Sequence, residues 1–206
     1  MGRPREHDER MRAALLDAAE RMVEAGGAEA LSVRALADEV GTTTRAVYSV
    51  FGSKDGLLEA LAGRLFELLA AAVDEIALTE DPRADLIAAA LHGFRRTALD
   101  HPFLYQLVFL QVVPDLQVGP TFDDVAHSAF ARLEHLVARV VAGNDDDARQ
   151  LAQVVHALTE GLATMEARGA LGSADDAAET WQRALTTLLA GVPQPARGAT
   201  RARRRP

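Results

Sequence analysis

The chain has no cysteine among its 206 residues. That excludes disulfides and thiolate metal sites, and it fits a reducing compartment, so a cytoplasmic location is expected. Aromatic residues are scarce, with one tryptophan and two tyrosines. Lysine is scarcer still: Lys54 stands alone and every other basic residue is arginine. No apolar run approaches the ~20 residues needed to cross a bilayer, so no membrane partner is expected. The opening residues, Met1 to Asp8, hold no hydrophobic segment and do not read as a secretory signal. Nucleotide-binding and hydrolase signatures are missing too: no glycine-rich phosphate loop, no His-Glu-x-x-His, no Gly-x-Ser-x-Gly. The six histidines are scattered. No catalytic residue, cofactor or metal site is therefore expected.

What remains is rich in Ala, Leu, Val, Arg, Asp and Glu, a composition that favours an all-α protein. The net charge of −8 is unevenly spread. Residues 1–54 hold 8 basic and 9 acidic side chains, residues 55–196 hold 9 and 21, and residues 197–206 hold 5 basic and none acidic. The acidity thus lies in the middle of the chain, and the first segment is near neutral. A near-neutral segment cannot hold a polyanion by bulk charge alone, and any such partner would be held through a few placed contacts and through paired copies.

The most informative stretch is residues 32–54. Val33, Leu36, Ala37 and Val40 recur at helical period, with Ser32 before them as a cap and Gly41 after them as a stop. A second short helix starts almost at once, capped by Thr42 or Thr43, and so short a turn forces a steep crossing. Val47, Val50 and Phe51 of this helix point inward. Arg45, Tyr48 and Ser49 point outward, with Thr44 on the border. No acid lies between Gly41 and Lys54. Hydroxyls, a phenol and a guanidinium suit phosphate oxygens and base edges. Lys54 follows Ser53 at the start of the next helix, where a cation is electrostatically misplaced unless a phosphate is near. The candidate DNA-binding set is Ser32, Arg34, Thr43, Thr44, Arg45, Tyr48, Ser49 and Lys54.

The runs Ala14-Leu15-Leu16-Asp17-Ala18-Ala19-Glu20 and Leu31 to Gly41, with Val47-Tyr48, Phe51, Ser53-Lys54 and Gly56-Leu57-Leu58, resemble the N-terminal domain of the TetR family of bacterial repressors. Val50 and Gly52 depart from that pattern, Gly52 replacing a common proline. Residues 102–109 and 156–162 resemble one branch of the family's C-terminal domains. The resemblance implies that Tyr48 and Lys54 contact phosphate, while Thr43, Thr44, Arg45 and Ser49 read sequence. It implies a ligand-responsive repressor that binds a palindromic operator in double-stranded DNA as a homodimer and leaves it on binding a small, mostly apolar effector. The alternative is a small all-helical enzyme or adaptor with a non-functional helix-turn-helix.

About nine helices are expected. The first runs from Asp8 to Ala25 with Met11, Ala14, Leu15, Ala18, Ala19, Met22 and Val23 as its stripe, and Gly26-Gly27 end it. A three-helix helix-turn-helix domain then covers 8–52, and a helix at 53–77 connects it onward. A larger helical ligand-binding and dimerisation domain covers 78–192, and residues 193–206 form a disordered basic tail. Within the second domain one helix runs from Pro82 to Leu99, and Gly143-Asn144 mark a later turn. Ligand-binding candidates are the rings Phe94, Tyr105, Phe109, Phe122 and Phe130, interleaved with the polar groups His92, His127, His156, Thr159 and Glu160. The resemblance places the dimer interface on the last two helices, through Val154, Leu158 and Leu162 of one and Trp181, Leu185 and Leu188 of the other.

Overall fold

The structure, a computed structural model, describes residues 3–114, 116, 118–141 and 145–193, with the backbone alone for residues 3–7. The turn expected at Gly143-Asn144 and the basic tail from residue 194 onward lie outside the described residues. All regular structure among the described residues is helical: α1 (Arg3–Ala30), α2 (Val33–Val40), α3 (Thr44–Phe51), α4 (Lys54–Asp74), α5 (Pro82–Ala88), a π-helical segment (Ala89–Arg95), α6 (Arg96–Asp100), α7 (Pro102–Phe109), α8 (Pro120–Val140), α9 (Asp145–Ala167) and α10 (Ala174–Ala190). Taken as one helix, Pro82–Asp100 brings the total to nine.

The described residues form two compact units, the first holding those up to Ala72 together with those of 96–129, and the second those of 73–95 together with those from Phe130 onward. Residues 96–129 lie in the first of these units. Local chemistry explains this. Pro102 starts α7, and the carboxylate of Glu24 on α1 accepts hydrogen bonds from Phe103 N at 2.9 Å and Leu104 N at 3.1 Å. The free amides at the start of α7 are therefore capped by α1 rather than by a neighbour in sequence. Arg64 of α4 adds a link by pairing with Asp17 at 2.7 Å and with Glu20, while His101 Nδ1 lies 2.7 Å from Glu20. The apolar arc of α1 is consequently wider than its single stripe predicts. Leu16 is buried beside Leu15, Ala18, Ala19 and Val23, whereas Ala14 is exposed. Non-helical backbone at Gly26 and Gly27 breaks α1 where the two glycines predict it. The α4 helix stops at Asp74, short of 77, because Asp74 and Glu75 put negative charge at its carbonyl end.

The second unit packs Leu86, Ala89, Leu136, Val137, Val140, Ala152, Val155 and Leu189 into one core. Asp81 caps α5 through Arg83 N and Ala84 N, with Pro82 at the first helical position as expected. The run from Pro82 is not a uniform α-helix, since Ala89–Arg95 widen to π geometry. Asp85 is 3% exposed and accepts hydrogen bonds from Thr79 N (2.9 Å), Thr79 Oγ1 (2.7 Å) and Arg139 Nη1 (2.6 Å). Burial alone raises its pKa, but the bonds from Thr79 and Arg139 outweigh burial and hold it below the ordinary aspartate value. A depressed folded pKa contributes stability that is present above the unfolded value of about 4 and is lost as pH falls through the folded value. Asp85→Asn is expected to cost about 1–3 kcal/mol at neutral pH and to flatten the acid limb below about pH 4. Urea unfolding at a series of pH values checks this; parallel acid limbs in the two proteins would show that Asp85 is not the responsible group.

Candidate nucleic-acid interface

Each end of the short helices is built by a local side chain. Ser32 Oγ accepts from Ala35 N at 3.4 Å to start α2, and Gly41, at φ 72°, ends it. Thr43 Oγ1 accepts from Ala46 N at 3.2 Å, which settles the cap of α3 on Thr43 rather than Thr42. The oxygens of Ser32 and Thr43 thus shape the backbone, and their O–H groups remain donors toward an incoming phosphate. Packing holds α2 against α1 and α3. Leu36, Ala37 and Val47 are buried in that contact, while Val50 and Phe51 are half-buried.

The opposite face of α3 stands in solvent. Thr44, Arg45 and Ser49 are exposed, and Tyr48 is exposed at 49%. The turn out of α3 goes through Gly52 at φ 74°, a conformation closed to the proline common there in the family. Ser53 Oγ then caps α4 by accepting from Gly56 N at 2.9 Å. A side chain at Gly56 would run into the carbonyl oxygen of Phe51, so this glycine lets the last turn of α3 lie against the first turn of α4. The result places exposed Lys54 at the N-terminus of α4.

Charge pairing separates this face from most of the chain. Arg64, Arg95, Arg132, Arg139 and Arg149 each sit against a carboxylate. Arg34, Arg45 and Lys54 have no carboxylate partner among the described residues, a state shared by Arg12 on α1, Arg83 on α5 and Arg168 just past the end of α9. Three uncompensated cations, a phenol and a set of hydroxyls on two short crossed helices form a surface complementary to a polyanion.

Comparison with known proteins follows the same line. The profile of bacterial regulatory proteins of the tetR family matches residues 15–61, and that of the tetracyclin-repressor-like C-terminal domain matches residues 87–188. The chain belongs to the TetR family. It is a transcriptional regulator with an N-terminal helix-turn-helix domain. Among solved structures, a protein of unknown function from Rhodococcus sp. RHA1 is 28% identical, with a TM-score of 0.74 over 89% of this chain and 95% of its own. A TetR-family transcriptional regulator from Agrobacterium tumefaciens is 20% identical, with a TM-score of 0.60 over 87% and 98%. A TetR variant from Acinetobacter baumannii AYE, in complex with minocycline, is 20% identical, with a TM-score of 0.60 over 87% and 94%. The last two share the fold. No curated protein matches.

In this TetR-family chain the rings expected around a ligand divide between the two units. In the first, Phe66 meets Phe122 at 5.4 Å and Phe109 at 6.2 Å, and Phe109 lies 5.0 Å from Tyr105. Phe66 was not foreseen, since it sits one residue off the buried leucines of α4, Leu57, Leu58, Leu61, Leu65 and Leu69. His127 is exposed, its Nδ1 2.6 Å from the Asp123 carbonyl. In the second unit, His156 lies edge-on to Phe94 (6.4 Å) and Phe130 (5.9 Å), and Phe94 lies 6.5 Å from Trp181. His156 Nε2 is 3.7 Å from Glu160. Burial lowers the pKa of His156, and Glu160 pulls it back only in part, which leaves a neutral ring at neutral pH. Thr159 is buried and donates to the His156 carbonyl at 3.0 Å, so it serves the helix. His92 is exposed on the π segment.

The residues expected at a dimer interface also divide. Trp181 and Leu185 are 0% exposed and Leu162 is 7% exposed within the single chain, so these side chains are core of their own unit. Trp181 Nε1 donates to Glu166 Oε2 at 2.8 Å, and Glu166 also accepts from Arg95 Nη2 at 2.7 Å. Val154 is 49% exposed, and Leu158 and Leu188 are half-buried. The outward face of α9 carries Val154, Ala157, Leu158, Gly161 and Met165 at helical spacing.

Proposed function

We propose that this protein is a ligand-responsive repressor that binds a palindromic operator as a homodimer and leaves it on binding a small, mostly apolar effector. The observation that carries the reading is the exposed face of α3, where Arg45, Tyr48 and Ser49 stand in a stretch that holds no acid from Gly41 to Lys54. One eight-residue helix covers only a few base pairs, so two copies related by a two-fold axis are needed for a specific site. The outward faces of α9 and α10 supply the seam, with Val154, Leu158 and Leu188 as its apolar contacts.

Arg45→Ala is expected to cost ~1–3 kcal/mol on the operator and to relax its sequence preference. Lys54→Ala weakens binding to all sequences alike and lowers the salt slope by about one unit per head. Gel shifts against the DNA upstream of the protein's own gene, at several salt concentrations, separate the two effects. Unchanged affinity and preference in Arg45→Ala would reverse the orientation assigned to α3.

The effector is proposed to bind beside Phe94, Phe130 and His156, with apolar walls and with His156 and Glu160 as polar handles. The π segment that carries Phe94 supports this, because such distortions recur at functional sites. Release requires tighter effector binding to the DNA-free state, and ~2.7 kcal/mol of difference gives a 100-fold loss of operator affinity. Trp181 is the chain's only tryptophan and lies next to Phe94, so its emission reports on the site during a compound screen.

A further inference from the structure

Arg12 lies outside the helix-turn-helix, on the first turns of α1, and its guanidinium carbon sits 5.8 Å from the centroid of the Phe51 ring. Phe51 is the last residue of the DNA-reading helix α3, and Gly52, Ser53 and Lys54 follow it directly. Arg12 is exposed and has no carboxylate partner among the described residues, although Glu20 and Asp17 on the same helix are both paired with Arg64. A guanidinium stacked on a ring uses its flat face, and its N–H donors stay in plane and available to an anion. The ring also removes much of the side chain's freedom, which lowers the entropy cost of a later contact.

We propose that Arg12 is a further phosphate-contacting residue of the DNA interface, positioned from α1 by the Phe51 ring. This extends the contact surface beyond α2, α3 and the start of α4. The inference rests on the reading that α3 faces DNA. The ligand chemistry is the backbone phosphate of duplex DNA, with no base preference.

The test uses the full chain, fluorescence anisotropy, and two duplexes: the DNA upstream of the protein's own gene and an unrelated sequence of equal length. Arg12→Ala should weaken both duplexes by the same factor. It should also lower the slope of log affinity against log salt by about 0.9 for each protomer bound, with an unchanged melting temperature. Arg12→Lys should keep the slope, because the charge remains, and Phe51→Leu should weaken both duplexes through loss of the stack. An unchanged slope in Arg12→Ala, measured while Arg45→Ala still loses operator affinity, overturns the proposal and leaves the DNA-binding reading standing. A Arg12→Ala protein that loses its cooperative melt makes Arg12 a packing residue and overturns it as well. An unmodified protein that binds neither duplex overturns the reading and the inference together.

Discussion

Trp181→Ala is expected to lower the unfolding free energy by about 3–5 kcal/mol, a large share of the total for a domain of this size. The indole is wholly buried, touches Phe94, and donates to Glu166. Truncation leaves a cavity and strips one donor from a carboxylate that also holds Arg95. The Arg95–Glu166 pair is itself mostly buried, with side chains 16% and 11% exposed, so losing a supporting bond there is costly. Trp181→Phe should cost less, about 1–2 kcal/mol, because most of the volume remains and the bond to Glu166 alone is lost. Urea denaturation followed by circular dichroism gives both numbers. A loss below about 1 kcal/mol for the alanine variant would mean that the site refills and that Trp181 is not a keystone of this unit.

The second large effect concerns assembly. Gly161 sits in the outward apolar face of α9, and a Cβ there meets nothing within 4 Å in the single chain. Gly161→Glu should therefore be harmless inside the protomer and even favourable to the helix by roughly 0.5–1 kcal/mol. Across a two-fold seam the same side chain meets its own copy, in a part of the chain that is already acidic. The expected result is a monomer at micromolar concentration and an operator affinity at least about 100-fold weaker, since one head alone reads half a site. Sedimentation equilibrium decides it. A variant that remains dimeric would move the seam away from this face of α9.

The helix-turn-helix was legible because each of its parts is local. Ser32, Gly41 and Thr43 cap within three residues of themselves, and the stripe of Val33, Leu36 and Ala37 needs no knowledge of the rest of the chain. What the sequence hid is long-range. Glu24 reaches α7 across 79 residues, and nothing in the neighbourhood of either element announces the pairing. The π segment was equally invisible, for Ala-Ala-Leu-His-Gly-Phe-Arg reads as ordinary helix. Its register is set by the burial of Ala89, Ala90 and Gly93 and by the bond from Arg95 to Glu166 on a distant helix. Trp181, Leu185 and Leu188 recur at helical spacing on α10, but periodicity cannot say which neighbour covers an apolar stripe. Its own unit covers Trp181 and Leu185, so the seam proposed above rests on residues that keep some exposure.

The cap that Glu24 places on α7 bears on how regulators of this kind can be recombined. Exchanging reading heads at the end of α3 looks like cutting between independent modules. In this chain the cut would separate Glu24 from the two amides it satisfies and would leave Phe103 and Leu104 facing a foreign α1. A graft that keeps an acid at position 24 should fold, and one that places an apolar residue there should aggregate, whatever DNA its new head recognises. In any such exchange the head and residues 96–129 have to be moved as one piece.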